Sequence, residues 1–370
     1  MNNTTNIKKQ YEKYKRRYIN EKLSKNINRP TNLDKDKIFG TIHGAIYGDA
    51  FGARYEFLTK HEAETQLNSD KINGSDNSDR IDSYPIKGDG PFHIDAGQVT
   101  DDSEMMFGLL ESITDKGGYD QTDVAMRYIK WYETKPIDIG NTIKRAICTR
   151  KKASNYNDMV SNSIEMNKYS LSNGALMRIS PLGVLGISMT DDRLKQIVNL
   201  ECDLTHPNAL VKDVCYIYCV AIKYAILGWP KDRIFTKALN YAEKPRTKII
   251  LKDSLNSPEP SYTIDDVNRQ EIYVDNDDKK YQGYIGIALQ NAFYELMHSD
   301  NPTKSIVDVS SRGGDTDTNC AITGALLGAF YGTKLFNPQW YMAIRSSSLS
   351  TRRYVDFPFL NPLEKNGNYV

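Results

Sequence analysis

The chain has 370 residues, of which 39% are hydrophobic and 26% charged, and 48 Lys/Arg stand against 47 Asp/Glu for a formal net charge of +1. That length makes one large domain or two ordinary ones, and the near-neutral balance excludes a protein whose whole surface grips nucleic acid or an anionic membrane. Five cysteines without a C-x-x-C spacing exclude a disulfide scaffold and a zinc ribbon, and they fit a reducing, cytoplasmic setting.

The first 35 residues hold ten Lys/Arg and three Asp/Glu, a local charge of +7, so the remainder carries −6. This segment reads as an exposed arm, partly helical or disordered, ahead of a single domain over 36–370. An acidic or nucleic-acid partner would meet the chain there. No apolar stretch follows the N-terminal charges, so no secretory signal is expected. The longest apolar run, Val214–Gly228, is broken by Lys223 and is too short to span a bilayer.

From about Lys37 the apolar residues recur with helical period. Val124, Ala125, Tyr128, Ile129 and Tyr132 share one helix face, as do Ile285, Ala288, Leu289, Ala292, Phe293 and Leu296. Pro207–Gly228 reads as a helix with Pro near its first turn and Gly at its end. Strand patterns are confined to Thr247–Leu251 and Glu271–Val274, inside a polar excursion over 244–280. A second excursion covers Asn68–Asp89. The fold class is all-α.

Two segments place glycine every fourth residue. Gly40, Gly44, Gly48 and Gly52 form one set; Gly324, Gly328 and Gly332 form the other, flanked by Ala321, Ala325 and Ala329. Glycine inside a helix costs about 1 kcal/mol against alanine, so the repetition predicts two helices whose backbones approach closely.

Three acidic motifs then stand out. Asp49 and Glu56 end the first glycine segment; Thr100-Asp101-Asp102-Ser103-Glu104 follows Gly97; and Asp315-Thr316-Asp317-Thr318 follows Gly313-Gly314. Helix capping accounts for one Asp at each helix start. It does not account for adjacent pairs, which repel unless a cation joins them. Carboxylate and hydroxyl oxygens are hard ligands suited to Mg²⁺, Mn²⁺ or Ca²⁺. Asp101, Asp102, Asp315 and Asp317, with Thr100, Thr318 and Glu56, would supply one or two ions, and such pockets serve hydrolysis. An aspartyl-phosphatase loop ranks lower, because Ser310–Gly314 separates Asp315 from any apolar strand. Ser172–Gly183 offers small residues and Arg178 to a pyrophosphate, or simply a turn before an ordinary helix. His206, in Leu204-Thr205-His206-Pro207, reads either as a structural histidine or as a group that reaches a ligand.

Taken in order, these motifs resemble the ADP-ribosylglycohydrolase family. The family's G-x-x-x-G-x-x-x-G-D-A-x-G-x-x-x-E corresponds to Gly40–Glu56, and its G-x-x-T-D-D-T to Gly97–Ser103. Its G-N-G-x-x-M-R corresponds to Ser172–Arg178, its T-H to Thr205-His206, and its G-G-D-T-D-T to Gly313–Thr318. The resemblance spans about residues 37–335. It implies a compact all-α domain with two Mg²⁺ ions in a cleft, Mn²⁺ being a substitute, held by Thr100, Asp101, Asp102, Asp315, Asp317 and Thr318. Glu56, with Asp101 and Asp102, would supply the catalytic carboxylates. Asn173, Gly174, Met177, His206 and Gly314 would line the substrate cleft. The implied reaction removes ADP-ribose from a modified protein or another ADP-ribose conjugate. A non-catalytic ADP-ribose binder on the same fold is the second reading, and a metal-dependent phosphohydrolase the third. Three positions depart from the pattern: Ser172 replaces glycine, Leu171 an aromatic residue that would stack on adenine, and Ser103 threonine.

Overall fold

The computed structural model describes residues 34–72, 84–149, 152–265, 267–268, 270–274 and 280–347. The basic arm, apart from its last two residues, and parts of both polar excursions lie outside them. The helices are α1 (Lys35–Gly52), α2 (Lys60–Asp70), α3 (Asp101–Lys116), α4 (Gln121–Glu133), α5 (Asn141–Ile147), α6 (Tyr156–Asn167), α7 (Ser180–Leu185) and α8 (Asp191–Asp203). Then come α9 (Ala209–Ile226), α10 (Lys231–Tyr241), α11 (Pro245–Asp253), α12 (Ile285–His298), α13 (Pro302–Ser311), α14 (Thr316–Tyr331) and α15 (Pro338–Ser346). A single hairpin, β1 (Thr263–Asp265) with β2 (Glu271–Tyr273), is antiparallel and pairs Ile264 with Ile272. The described part of the protein is therefore mostly helical. No helix among the described residues is long and apolar enough to cross a membrane.

The centre is the antiparallel pair α1 and α14. A Cβ placed on Gly40, Gly44, Gly48 or Gly52 would fall 2.0–2.3 Å from the carbonyl oxygens of Gly328, Gly324, Cys320 and Thr316 respectively. The helices thus meet backbone to backbone along three turns, and the contact recovers what the glycines lose in helix propensity. Gly332 lies just past the end of α14 at φ 78°, where it terminates the helix. Around this pair pack α9, which is buried on nearly every side, and α12 and α13. The predicted core stripes of α4 and α12 are buried as expected, although Tyr132 is only half-buried.

Two expectations need correction. Thr247–Leu251 is helical and belongs to α11. Pro245 starts that helix, and the buried residues Thr247, Ile250 and Leu251 fall at i, i+3 and i+4, a helical stripe too short to be told from strand alternation. The helix expected from Pro207 begins at Ala209, because Asn208 supplies a side-chain acceptor for the Leu210 N–H at 2.8 Å, which Pro207 cannot. The strand expected at Glu271–Val274 forms as β2. All five cysteines are free thiols.

Candidate active site

The acidic motifs converge where α1 ends and where α3 and α14 begin. The glycine seam reaches this point: a Cβ on Gly52 would meet the backbone of Thr316 and Asp317. Glu56 follows a short 3-10 turn (Ala53–Tyr55) after α1. Its segment is pinned to the Gly313-Gly314 loop by a reciprocal backbone pair. Phe57 N–H donates to the Gly314 carbonyl at 2.8 Å, and Gly314 N–H donates to the Leu58 carbonyl at 2.9 Å. Both glycines have left-handed backbone, with φ 69° and 78°, a conformation open to them because they lack a Cβ.

Capping does not explain the aspartates. Neither Thr100 nor Asp315 makes a side-chain cap on the helix it precedes. Instead Asp49, from α1, accepts from Thr100 N–H and Ser103 N–H, both at 3.0 Å, and from Thr100 Oγ1. One carboxylate from a neighbouring helix therefore caps α3, which releases Asp101 and Asp102 for other work. Burial pushes the Asp49 carboxyl up to about 6, against the pull of those hydrogen bonds.

Carboxyl oxygens of Glu56, Asp315 and Asp317 lie within 4.8 Å of one another. Thr100 Oγ1 lies 3.4 Å from Asp102 Oδ2 and 3.4 Å from Asp317 Oδ2, and Thr318 Oγ1 donates to Asp102 Oδ2 at 3.2 Å. Asp102 Oδ1 and Glu56 Oε2 are buried with no hydrogen-bond partner among the described residues. Glu56, Asp101, Asp102, Asp315 and Asp317 are all held above the usual carboxylate range, first by burial. Mutual repulsion adds to the shift for every one of them except Asp315. A cluster of this kind must take up protons or cations, because buried like charges are costly unless neutralised. Its donors are all hard oxygens, and two of them have no hydrogen-bond partner among the described residues. The residues present therefore fit divalent cations of the Mg²⁺ class.

Asp138 joins the cluster without a sequence motif to announce it. It hydrogen-bonds Asp101, whose Oδ2 also accepts from Gly140 N–H at 3.2 Å. Burial is again the main cause that pushes Asp138 upward. The only local signal was an acid two residues before a glycine that opens a helix.

The remaining predicted residues form the wall beside the acids. Asn173 Nδ2 donates to Asp315 Oδ2 at 2.7 Å, so Asn173 and Gly314 both stand at the cleft. A Cβ on Gly174 would crowd the His206 ring and Ile143, each at 3.1 Å. Met177 and His206 lie beneath the surface. His206 is fully buried, with Nδ1 2.7 Å from Thr205 Oγ1 and Nε2 2.9 Å from Ser172 Oγ. Burial and the nearby Arg178 keep its pKa well below the usual histidine range, so it is neutral. Arg178 does not face a pyrophosphate. It is fully buried, paired to Glu201 at 2.8 Å, and donates to the Gly174 carbonyl and Thr205 Oγ1. Such a charge stays inside because Glu201 and these acceptors satisfy it, and it supports the Asn173-Gly174 wall from behind. A separate cavity of about 640 Å³ among α2, α12 and α13 holds none of the predicted residues.

Residues 30–356 match the ADP-ribosylglycohydrolase family model. A protein of Acanthamoeba polyphaga mimivirus named for ADP-ribosyl glycohydrolase is 30% identical over 326 residues, which cover 87% of this chain and 94% of the relative. The ADP-ribosyl-[dinitrogen reductase] glycohydrolase of Rhodospirillum rubrum is 23% identical over 82% of this chain and 89% of its own. A solved ADP-ribosylglycohydrolase-related protein complex contains a chain of the same fold, with a TM-score of 0.63 at 22% identity over 84% of this chain and 92% of that one. The glycine seam, the order of the acidic motifs and these matches agree, and the chain belongs to the ADP-ribosylglycohydrolase family.

Proposed function

We propose that the protein is a Mg²⁺-dependent hydrolase that cleaves the glycosidic bond between ADP-ribose and an acceptor and releases ADP-ribose. The observation that carries this reading is the convergence of Glu56, Asp315 and Asp317, joined to Asp102 through Thr100 and Thr318, in one cluster where two carboxyl oxygens have no hydrogen-bond partner among the described residues. Thr100, Asp101, Asp102, Asp315, Asp317 and Thr318 would hold the ions, and Glu56 lies close enough to Asp315 and Asp317 to take part. Bound Mg²⁺, or Mn²⁺ in its place, supplies positive charge that orders ribose hydroxyls and raises the acidity of water.

The protein's own groups then divide the work. Cleavage adds water at C1″ of the ribose, breaks the bond from C1″ to the acceptor nitrogen or oxygen, and leaves a proton on the acceptor. The transition state carries positive charge on the ribose ring, and the carboxylates of Glu56 and its neighbours oppose that charge directly. Glu56, its Oε2 without a hydrogen-bond partner among the described residues, or one of the Asp101–Asp102 pair takes the proton from the attacking water. Asp138, beside Asp101 and half-buried, would hand a proton to the leaving acceptor. Asn173, fixed by Asp315, orients the sugar end of the conjugate. Gly174 lets this wall pack closely on the His206 ring, which a Cβ would crowd at 3.1 Å.

The test is turnover of ADP-ribose linked to arginine and to serine, with Mg²⁺ and with EDTA. Wild-type protein should release ADP-ribose from at least one conjugate, and EDTA should stop it. Asp317→Ala should lower kcat by about a hundredfold or more. Full activity in EDTA, or in Asp317→Ala, would overturn the metal assignment; release from neither conjugate would overturn the reaction.

A further inference from the structure

Glu56 is held from both sides, and one of the two holds lies outside the acidic motifs. After Glu56 stand the backbone bonds of Phe57 and Leu58 to Gly314. Before it stand Arg54 and Tyr55, in the 3-10 turn, and both reach the same carboxylate, that of Asp70. Arg54 donates to it through Nε and through Nη2, the latter at 2.9 Å, and the Tyr55 hydroxyl donates to Asp70 Oδ2 at 3.1 Å. Arg54 Nη1 also donates to the Gly88 carbonyl at 3.0 Å. Glu56 itself has extended backbone, with φ −62° and ψ 140°, and its Oε2 has no hydrogen-bond partner among the described residues. The aim of that carboxylate therefore depends on the residues on either side of it.

Asp70 is the last residue of α2. That helix leaves the Glu56 segment at Thr59, where a capping box with Glu62 starts it, and it brings Asp70 back to the residues that precede Glu56. Asp70 is buried and also accepts from Gln66 and Lys87, each at 3.2 Å. Burial works against its charge, yet the bonds from Arg54, Gln66 and Lys87 hold it below the usual carboxylate range, whereas the cleft acids are pushed up. Asp70 is thus an ionised carboxylate surrounded by donors. The packing of α2 does not depend on it, since Ala63 and Leu67 already bury the face of that helix. A buried, forked Arg–carboxylate pair adds little net stability over apolar packing, and a fixed geometry is what it supplies.

We propose that Asp70 is a positioning residue for the hydrolysis: through Arg54 and Tyr55 it fixes where Glu56 points, and α2 is the splint that joins the two ends of the Glu56 segment. This rests on the reading that the cleft hydrolyses ADP-ribose conjugates with Glu56 among its acting carboxylates. The substrate is held along the Asn173 wall and at the ions, which α2 does not touch in the arrangement above. A loosened Glu56 therefore slows the chemical step and leaves binding near wild type. A misplacement of about 1 Å at an acting group costs about a hundredfold in rate.

The test measures kcat and KM for release of ADP-ribose in Mg²⁺, per folded molecule and well below the melting temperature of each variant. Asp70→Asn keeps the size of the side chain and withdraws its charge; it should lower kcat by about tenfold or more and leave KM within about twofold of wild type. Tyr55→Phe removes one hydroxyl and leaves the Arg54–Asp70 pair in place. It should melt close to wild type and lower kcat by about threefold, and it decides the matter alone if Asp70→Asn does not fold. Lys87→Gln withdraws a donor from the same carboxylate without touching the Glu56 segment, and it should keep the wild-type kcat and KM. The proposal is overturned if the deciding variant keeps its kcat, if KM rises in step with the loss, or if Lys87→Gln loses as much kcat as Asp70→Asn; the hydrolase reading survives each of these. If wild-type protein releases no ADP-ribose, both are overturned.

Discussion

The glycine seam and the acidic cleft adjoin one another and are opposites. Along the seam, the facing stripes of α1 and α14 are glycine, and the two backbones touch there. In the cleft, where the seam ends, the same region of the two helices carries carboxyl groups that crowd, repel and in two places lack any partner among the described residues. The difference shows how the site is maintained. A cluster of buried acids pushes its supports apart, and a rigid frame holds the oxygens of Glu56, Asp315 and Asp317 within 4.8 Å of one another. Two helices locked backbone to backbone, which cannot slide without collision, provide that frame. Stability is concentrated in the seam and spent at its end.

The largest effect should come from breaking the seam. Gly44→Val or Gly328→Val puts a branched side chain where even a Cβ would lie 2.0 or 1.8 Å from a backbone carbonyl oxygen. Overpacking usually costs about 1–3 kcal/mol. Here the obstacle is main chain that cannot turn aside, and parting the helices also spreads Glu56 from Asp317. We expect no cooperative melting transition. Gly108→Ala is the control, since its Cβ would make ordinary van der Waals contact with the Tyr128 ring at 3.5 Å and with Arg127 Cβ at 3.7 Å. A helix gains about 1 kcal/mol from that change, so its melting temperature should rise. If Gly328→Val melts like wild type, the close approach of α1 and α14 is wrong.

The next effect is in the cleft and depends on pH. A carboxyl whose folded pKa is raised binds its proton more tightly in the folded state than in the unfolded one. Below the unfolded value, near 4, both states are protonated and nothing is lost. As pH rises above that value, the folded state must ionise at a cost, and stability falls until the folded pKa is passed. Asp49, raised to about 6, sets a window from about 4 to 6, and the acids pushed higher extend it upward. In EDTA the melting temperature should therefore fall between pH 5 and 8. Mg²⁺ should restore it most at the alkaline end, by about 2.7 kcal/mol at a hundredfold excess over its Kd. Thermal melts across that range with and without Mg²⁺ check this. A flat profile in EDTA would show that the carboxyl groups are neutralised within the protein.

How much of this was readable in advance follows from the range of each interaction. The seam was legible because a four-residue glycine period survives in one dimension, and the acidic motifs were legible because Asp-Asp and Asp-Thr-Asp are local. The direction in which a side chain points was not. Arg178 looked available to a pyrophosphate, yet Glu201, 23 residues on, turns it inward. Asp138 is an unremarkable acid in its own loop and acquires meaning only beside Asp101, which is remote in sequence. Asp49 was visible as an acid, whereas its work as the cap of α3 depends on a contact across 51 positions. The short run Thr247–Leu251 was misread because five residues do not separate a period of 2 from one of 3.6.

The smallest effect sharpens the boundary between frame and site. Ser172 stands where the family pattern has glycine, and its hydroxyl lies within 2.9–3.2 Å of His206 Nε2, Thr142 Oγ1 and Ser170 Oγ. This small network is satisfied like the seam, yet it adjoins Asn173, which touches the acids. Ser172→Ala leaves the buried His206 Nε2 without its partner, at a cost of about 1–3 kcal/mol. If the network belongs to the frame, the melting temperature falls by a few degrees at roughly 2–4 °C per kcal/mol, while kcat stays near wild type and KM rises as the Asn173 wall loosens. If kcat collapses while the melting temperature holds, the pairing of Ser172 with His206 takes part in the chemistry, and the line between the satisfied half of the molecule and the reactive one must be redrawn on the other side of His206.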